Sequence, residues 1–272
     1  MIHSVPVRAG AAGCETVQRA AAPALRGHVL GYGGFRSADG RAIAHRLLPI
    51  SVAALIVDFA GGRAVVTGPR AATTTDGPTT WGHGVTVGLT PAGVHALLGV
   101  PMRELVGATL TLDDLPGAHA AELPERLAQA PDRSSRFRLL DELLAARLGS
   151  GRAGGDGTAT GGAGVAGAAW RRLQQSGGRL RIGELAAELG VGRRGLERDF
   201  RGSFGLSPGA VGRIARFQRA LRLIGDGVGL AEVAAAGGYA DQPHLTRETR
   251  AMAGVTPGEL RAIVQDRPRS AV

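Results

Sequence analysis

Residues 185–209 and 233–258 write one pattern twice, and this duplication narrows the available folds more than any other feature of the chain. The first copy runs Leu185-Ala-Ala-Glu-Leu-Gly-Val191, then Leu196, Arg198, Arg201 and Gly205-Leu-Ser-Pro-Gly209. The second runs Val233-Ala-Ala-Ala-Gly-Gly-Tyr239, then Leu245, Arg247, Arg250 and Gly254-Val-Thr-Pro-Gly258. The offset is 48 residues at Leu185 and Val233 and 49 at Leu196 and Leu245, so one residue is inserted at the turn. A repeat of this size marks a duplicated supersecondary unit. Each unit reads as a short apolar helix, a turn and an Arg-bearing second helix. In a helix-turn-helix the second helix lies in the DNA major groove, so two units suit a chain that grips two places on one duplex.

The local chemistry supports that reading. Ile182, Leu185, Ala186 and Leu189 fall at i, i+3, i+4 and i+7, the core stripe of a short amphipathic helix. Gly190-Val191-Gly192 makes the turn, and Leu196, Phe200 and Phe204 mark the inner face of the next helix. Ser207-Pro208 is an N-cap followed by Pro at the first helical position. The helix it starts reaches Ile224, a strut of roughly 27 Å at 1.5 Å per residue, which suits two readers set about 34 Å apart along the groove. Asp241 caps the corresponding helix of the second copy, and Thr256-Pro257 opens the last one. With Leu196 and Phe200 inward, Arg193, Arg194, Glu197, Arg198 and Arg201 face outward. With Leu245 and Met252 inward, the outward set is Gln242, His244, Arg247 and Arg250.

Charge follows the repeat. The chain has 272 residues and a formal charge of +9, and all its basic side chains are Arg. Residues 1–148 carry 14 Arg against 12 acids, while residues 164–272 carry 17 against 10. Arg suits bidentate contact with phosphate and guanine, and its excess lies where the repeat lies.

The first half has a different grammar. His28–Arg36, Ala42–Pro49, Ser51–Phe59, Arg63–Gly68 and Gly82–Thr90 are short β-rich runs bounded by Gly, Pro and Asp. Helical periodicity follows in Pro91–Leu98, Ala118–Ala130 and Ser134–Leu148. The segment 149–164 is so rich in Gly that it reads as a flexible tether between separately folded units. The spacing predicts an α+β chain: a strand-rich unit over residues 1–148, ordered from about residue 24, and an all-helical unit over 165–272.

Little points to catalysis. One cysteine, Cys14, excludes an internal disulfide framework. His28, His45, His83 and His95 fit no metal-ligand spacing, and no phosphate loop or nucleophile elbow is present. The reading is a non-enzyme that needs no cofactor and no metal. No apolar run approaches the roughly 18 residues of a membrane span, so no membrane partner and a cytoplasmic location are expected.

Residues 165–265 resemble the DNA-binding domain of the AraC/XylS family of transcription regulators. The resemblance rests on Gly238-Tyr239-Ala-Asp241-Gln242-Pro-His244-Leu245-Thr-Arg247 and Gly254-Val-Thr-Pro257. In the first copy it rests on Leu185-Ala186, Leu189-Gly190-Val191, Leu196, Phe200 and Gly205-Leu-Ser-Pro208. It implies seven helices, with recognition helices near Arg193–Phe204 and Gln242–Ala253. Base readout would fall on Arg194, Glu197 and Arg198, and on Gln242, Pro243, His244, Thr246 and Arg247. Two positions depart from the family: Thr249 replaces a usual Phe, and Gly192 replaces a usual Ser or Thr cap. The family's N-terminal domain senses a small molecule, dimerises, or does both. The implied partner is therefore double-stranded DNA, with a small-molecule effector, a second copy of the chain and RNA polymerase as further candidates. The alternative is a regulator without a small-molecule ligand, whose first domain only contacts proteins.

Overall fold

The computed structural model describes residues 1–7, 14–76, 79–115, 122–152 and 164–265. The expected strand runs all form strands: β3 (Val29–Ser37), β4 (Ile43–Leu47), β5 (Ala53–Asp58), β6 (Arg63–Thr67) and β8 (His83–Leu89). Among the described residues four further strands join them in two sheets: β1 (Ser4–Pro6), β2 (Cys14–Arg19), β7 (Thr80–Trp81) and β9 (Thr109–Thr111). An antiparallel sheet of order β2-β3-β8-β5-β6-β9 lies with a smaller one of order β1-β4-β7. Every residue of β5 is buried, as befits a strand covered on both faces.

Order starts well before residue 24, which corrects the reading of the N-terminal stretch. Val5 of β1 is buried, and β2 pairs with β3 from Cys14↔Ser37 to Arg19↔Tyr32. An Ala/Gly-rich edge carries no periodicity of its own, so its structure comes from the partner strand. Cys14 packs with Phe35, Leu47, Ile56 and Trp81 in a small apolar cluster.

The helices of the first half are α1 (Pro91–Gly93), continued by a π turn over Val94–Leu98, then α2 (Leu123–Gln129) and α3 (Arg133–Arg152). Helix α3 runs through residues 149–152, where the tether was expected to begin. The remainder of the expected tether, residues 153–163, and residues 118–121 of the expected helix lie outside the described residues. Among the described residues seven helices follow: α4 (Val165–Gln175), α5 (Ile182–Glu188), α6 (Arg193–Phe204), α7 (Pro208–Gly225), α8 (Leu230–Gly237), α9 (Gln242–Ala253) and α10 (Pro257–Gln265).

The two halves do not sit apart. One apolar cluster runs from Leu55, Val57 and Val87 of the large sheet to Trp170, Leu173, Leu196 and Phe200 of the helices. A second joins Val5 and Leu48 to Phe217, Leu221, Met252 and Leu260. Polar contacts pin the seam. Trp170 Nε1 donates to the Ser51 carbonyl at 3.2 Å, and Gln174 Nε2 donates to Ser51 Oγ at 2.6 Å. The buried Gln218 amide of α7 donates to the Ile2 and Pro49 carbonyls at 2.9 and 2.8 Å and accepts from the Ile2 N–H at 2.9 Å. A buried amide satisfied at both ends fixes the strut against the first half.

Candidate nucleic-acid interface

Helices α5 and α6 form the first helix-turn-helix and α8 and α9 the second, with α7 between them. Helix α6 starts from Gly192 without a side-chain cap and buries Leu196, Phe200 and Phe204, the two rings meeting edge to face at 4.7 Å. Helix α9 starts from Asp241, whose carboxylate accepts the His244 N–H at 2.6 Å, and buries Leu245, Thr249 and Met252. Thr249 is 1 % exposed, so the hydroxyl residue sits at the centre of the second unit as Phe200 sits in the first. The caps of α7 and α10 also form: Ser207 Oγ accepts from the Ala210 N–H, and Thr256 and Glu259 bond reciprocally. Those bonds hold the Glu259 carboxyl below its ordinary range.

Of the side chains read as outward, Arg193, Arg194, Arg198, Arg201, Gln242, Arg247 and Arg250 are exposed, while Glu197 and His244 are only partly so, and Thr246 is half-buried as well. Arg194 and Arg247 have no hydrogen-bond or ion-pair partner among the described residues. Some members of the set are engaged within the protein. Arg193 Nε meets Glu197 Oε1 at 3.0 Å, Arg198 lies 3.5 Å from Asp199, and Thr246 Oγ1 donates to the Gln242 carbonyl at 3.0 Å. His244 Nδ1 accepts from the Ala240 N–H at 3.2 Å.

Sequence reasoning missed the arginines that build the scaffold instead of facing outward. Arg213 Nε donates to Glu248 Oε2 at 2.6 Å and ties α7 to α9; Arg219 donates to the Ala236 carbonyl and Arg172 pairs with Glu188. Tyr239 packs at the second turn, where burial pushes its phenol up to about 12.

The first half docks on the same point of each unit. Gly205 and Gly254 end α6 and α9 in the left-handed region, with φ of 71° and 70°. A side chain at Gly205 would run into Val106, and Arg103 reaches the Gly202 carbonyl at 3.4 Å. At the end of α9, Arg46 donates to the Ala253 carbonyl at 2.8 Å and the Thr73 N–H donates to the Met252 carbonyl at 2.9 Å. A cation at a helix C-terminus also meets the negative end of the helix dipole. Nothing local in the sequence marks these contacts, because each joins residues more than 95 positions apart.

The first half also holds a cavity of about 360 Å³ between β2, β3 and the segment Met1–Ser4. Its polar lining includes His3, Arg19, Tyr32 and His45. Arg19 pairs with Asp141 at 3.0 Å, and the Tyr32 hydroxyl donates to the same carboxylate at 2.7 Å. Burial, then the charges of Arg70 and His45, hold His3 down at about 3, so its ring is neutral. Among the described residues no group of three or more His, Cys, Asp or Glu could hold a metal ion. Among them, too, no helix is long and apolar enough to cross a membrane.

Two helix-turn-helix units on one strut, with exposed arginines along both second helices, define a DNA-binding transcription regulator. Residues 185–263 match the family described as helix-turn-helix domain, and this C-terminal domain is of the AraC type. No curated protein in the comparison matches the chain. Among solved structures, ToxT from Vibrio cholerae is 10 % identical over 92 % of this chain and 97 % of its own, with a TM-score of 0.46. A wild-type ToxT structure described as bound to an unsaturated fatty acid is 11 % identical, covering 92 % and 94 %, with a TM-score of 0.46. The transcriptional regulator CdpR from Pseudomonas aeruginosa is 20 % identical over 66 % and 46 %, with a TM-score of 0.33.

Proposed function

We propose that this regulator reads two successive major-groove segments of one operator through α6 and α9 and responds to a small apolar effector held in the cavity of its first half. Base readout is assigned to Arg194, Glu197 and Arg198 in α6, and to Gln242, His244, Thr246 and Arg247 in α9. Arg193, Arg201 and Arg250 contact phosphates, which position the protein without reading sequence. The observation that carries the reading is the pair of arginine-bearing helices held at the two ends of one 18-residue strut. On DNA, Glu197 would exchange its bond to Arg193 for a cytosine amino group.

The effector reading is supported by the cavity, whose volume falls within the ordinary range for small-molecule sites. Its arginine is already paired and its His3 is neutral, so the chemistry favours an uncharged, mainly apolar ligand with a hydrogen-bonding group. That favours effector sensing over a first domain that only contacts other proteins.

Footprinting of the full chain on genomic fragments that it selects tests the DNA-binding reading. Two protected major-groove segments about 10–10.5 base pairs apart are expected; a single protected segment would defeat it. A homodimer would double the protected length, and transcription with purified RNA polymerase separates activation from repression.

A further inference from the structure

Arg70 is a buried cation without a counter-charge. It is 4 % exposed, and among the described residues it takes part in no ion pair. Its Nη2 donates to the Ala108 carbonyl at 3.0 Å and more distantly, at 3.4 Å, to Thr109 Oγ1. Its Nε has only the Gly68 carbonyl at 3.4 Å, and its Nη1 is buried with no partner among the described residues. The backbone cannot easily swing the side chain out, because Arg70 and Ile50 exchange both backbone hydrogen bonds, at 2.8 and 3.1 Å. Burial lowers the pKa of the guanidinium, yet an arginine stays protonated in a protein. A buried charge left unpaired is costly, so such a group in a folded chain asks for a partner.

Arg70 helps line a cleft of about 580 Å³ whose other walls include Ala72, Thr74, Val106, Thr109 and Leu206. The walls combine small apolar side chains with two hydroxyls. The carboxylate at the rim, Asp76, is exposed and accepts the Thr74 hydroxyl at 2.9 Å, so it does not neutralise the buried guanidinium. The cleft also lies between the two docking points on the recognition helices: Thr73 holds the end of α9, and Val106 sits against Gly205 beside Leu206.

We propose that this cleft binds a small molecule carrying a carboxylate or phosphate on a short apolar body, with Arg70 as its charge partner. The site is separate from the cavity beside β2 and β3, and it stands or falls independently of the effector assigned there. With Nη2 and Nε engaged by the protein, the unpartnered Nη1 supplies the charge-assisted hydrogen bond to an oxyanion. An occupant in this position touches the loops that hold both recognition helices and so bears on their spacing.

Thermal unfolding of the full chain at constant ionic strength tests the site, with benzoate and phenyl phosphate as probes and benzamide as the neutral isostere. At ten times its dissociation constant, at least one anion should raise the midpoint by about 2–4 °C, and benzamide should not. Phenyl phosphate acting alone would identify the phosphate source, and benzoate alone the carboxylate. Arg70→Met and the cleft-filling Ala72→Phe should each abolish the shift. Where Arg70→Met does not fold, Ala72→Phe decides. Equal shifts with benzamide, no shift with either anion at 20-fold millimolar excess over protein, or an undiminished shift in Ala72→Phe would overturn the proposal. Footprinting does not depend on any of these outcomes, so failure here leaves the DNA-reading proposal intact.

Discussion

The two helix-turn-helix units share a pattern but not a foundation. The first merges with the large sheet: Phe200 and Phe204 belong to the same apolar cluster as Leu55 and Val87. The turn of the second keeps a small cluster of its own, made of Ala220, Ile224, Val233, Ala234, Tyr239 and Leu245. The end of its α9 enters the cluster formed with Val5 and Leu48. Their starts differ in the opposite sense, since α9 has an Asp241 cap and α6 has none. Docking differs as well: at the end of α6 it combines contact at Gly205 with one long hydrogen bond from Arg103, and at the end of α9 it uses two shorter hydrogen bonds to the last carbonyls. A duplicated sequence can therefore hold its copies by different physical means, core burial for one and caps for the other.

The largest expected effect tests the core. Phe200→Ala should destabilise the protein by about 3–5 kcal/mol in urea unfolding, the usual range for truncating a buried Phe. Thr249→Ala should cost only about 1 kcal/mol; equal losses would erase the asymmetry between the units.

DNA affinity comes next. Arg198→Ala and Arg247→Ala should each weaken specific operator binding by about 1–3 kcal/mol and relax base preference at one position. If Arg247→Ala keeps the preference unchanged across operator variants, Arg247 contacts phosphate only.

Smaller effects separate the caps. Asp241→Ala should cost about 1 kcal/mol, whereas Gly192→Ser should gain only a few tenths. Arg46→Met should cost about 1 kcal/mol as a lost hydrogen bond and speed amide exchange at the end of α9, which Arg103→Met should leave unchanged. The reverse order would show that docking on α6, not on α9, is the tighter attachment.

Much of this fold is written locally. The strand runs of the first half are bounded by Gly, Pro and Asp, and each became a strand within a few residues of its expected limits. The caps Ser207, Asp241 and Thr256 act within a single turn, so their chemistry is legible from neighbours alone. Strands β1 and β2 escaped notice because their order comes from distant partners. The docking of Arg46, Thr73, Arg103 and Val106 escaped for the same reason. Arg70 misleads in another way, since nothing in the sequence separates a buried Arg from an exposed one. For the interface, the outward faces of α6 and α9 followed from periodicity, but the bond between Arg213 and Glu248 spans 35 positions and did not.

The strut gives the proposed complex a direction. Because α7 carries unlike readers at its two ends, one copy of the chain cannot be turned end for end on its site and still make the same contacts. On the proposed mode of binding, an operator with its two half-sites exchanged is a different operator, even though its base composition and spacing are unchanged. The protein then works as an arrow on the duplex, and the orientation of a site relative to a gene carries information that its sequence content alone does not.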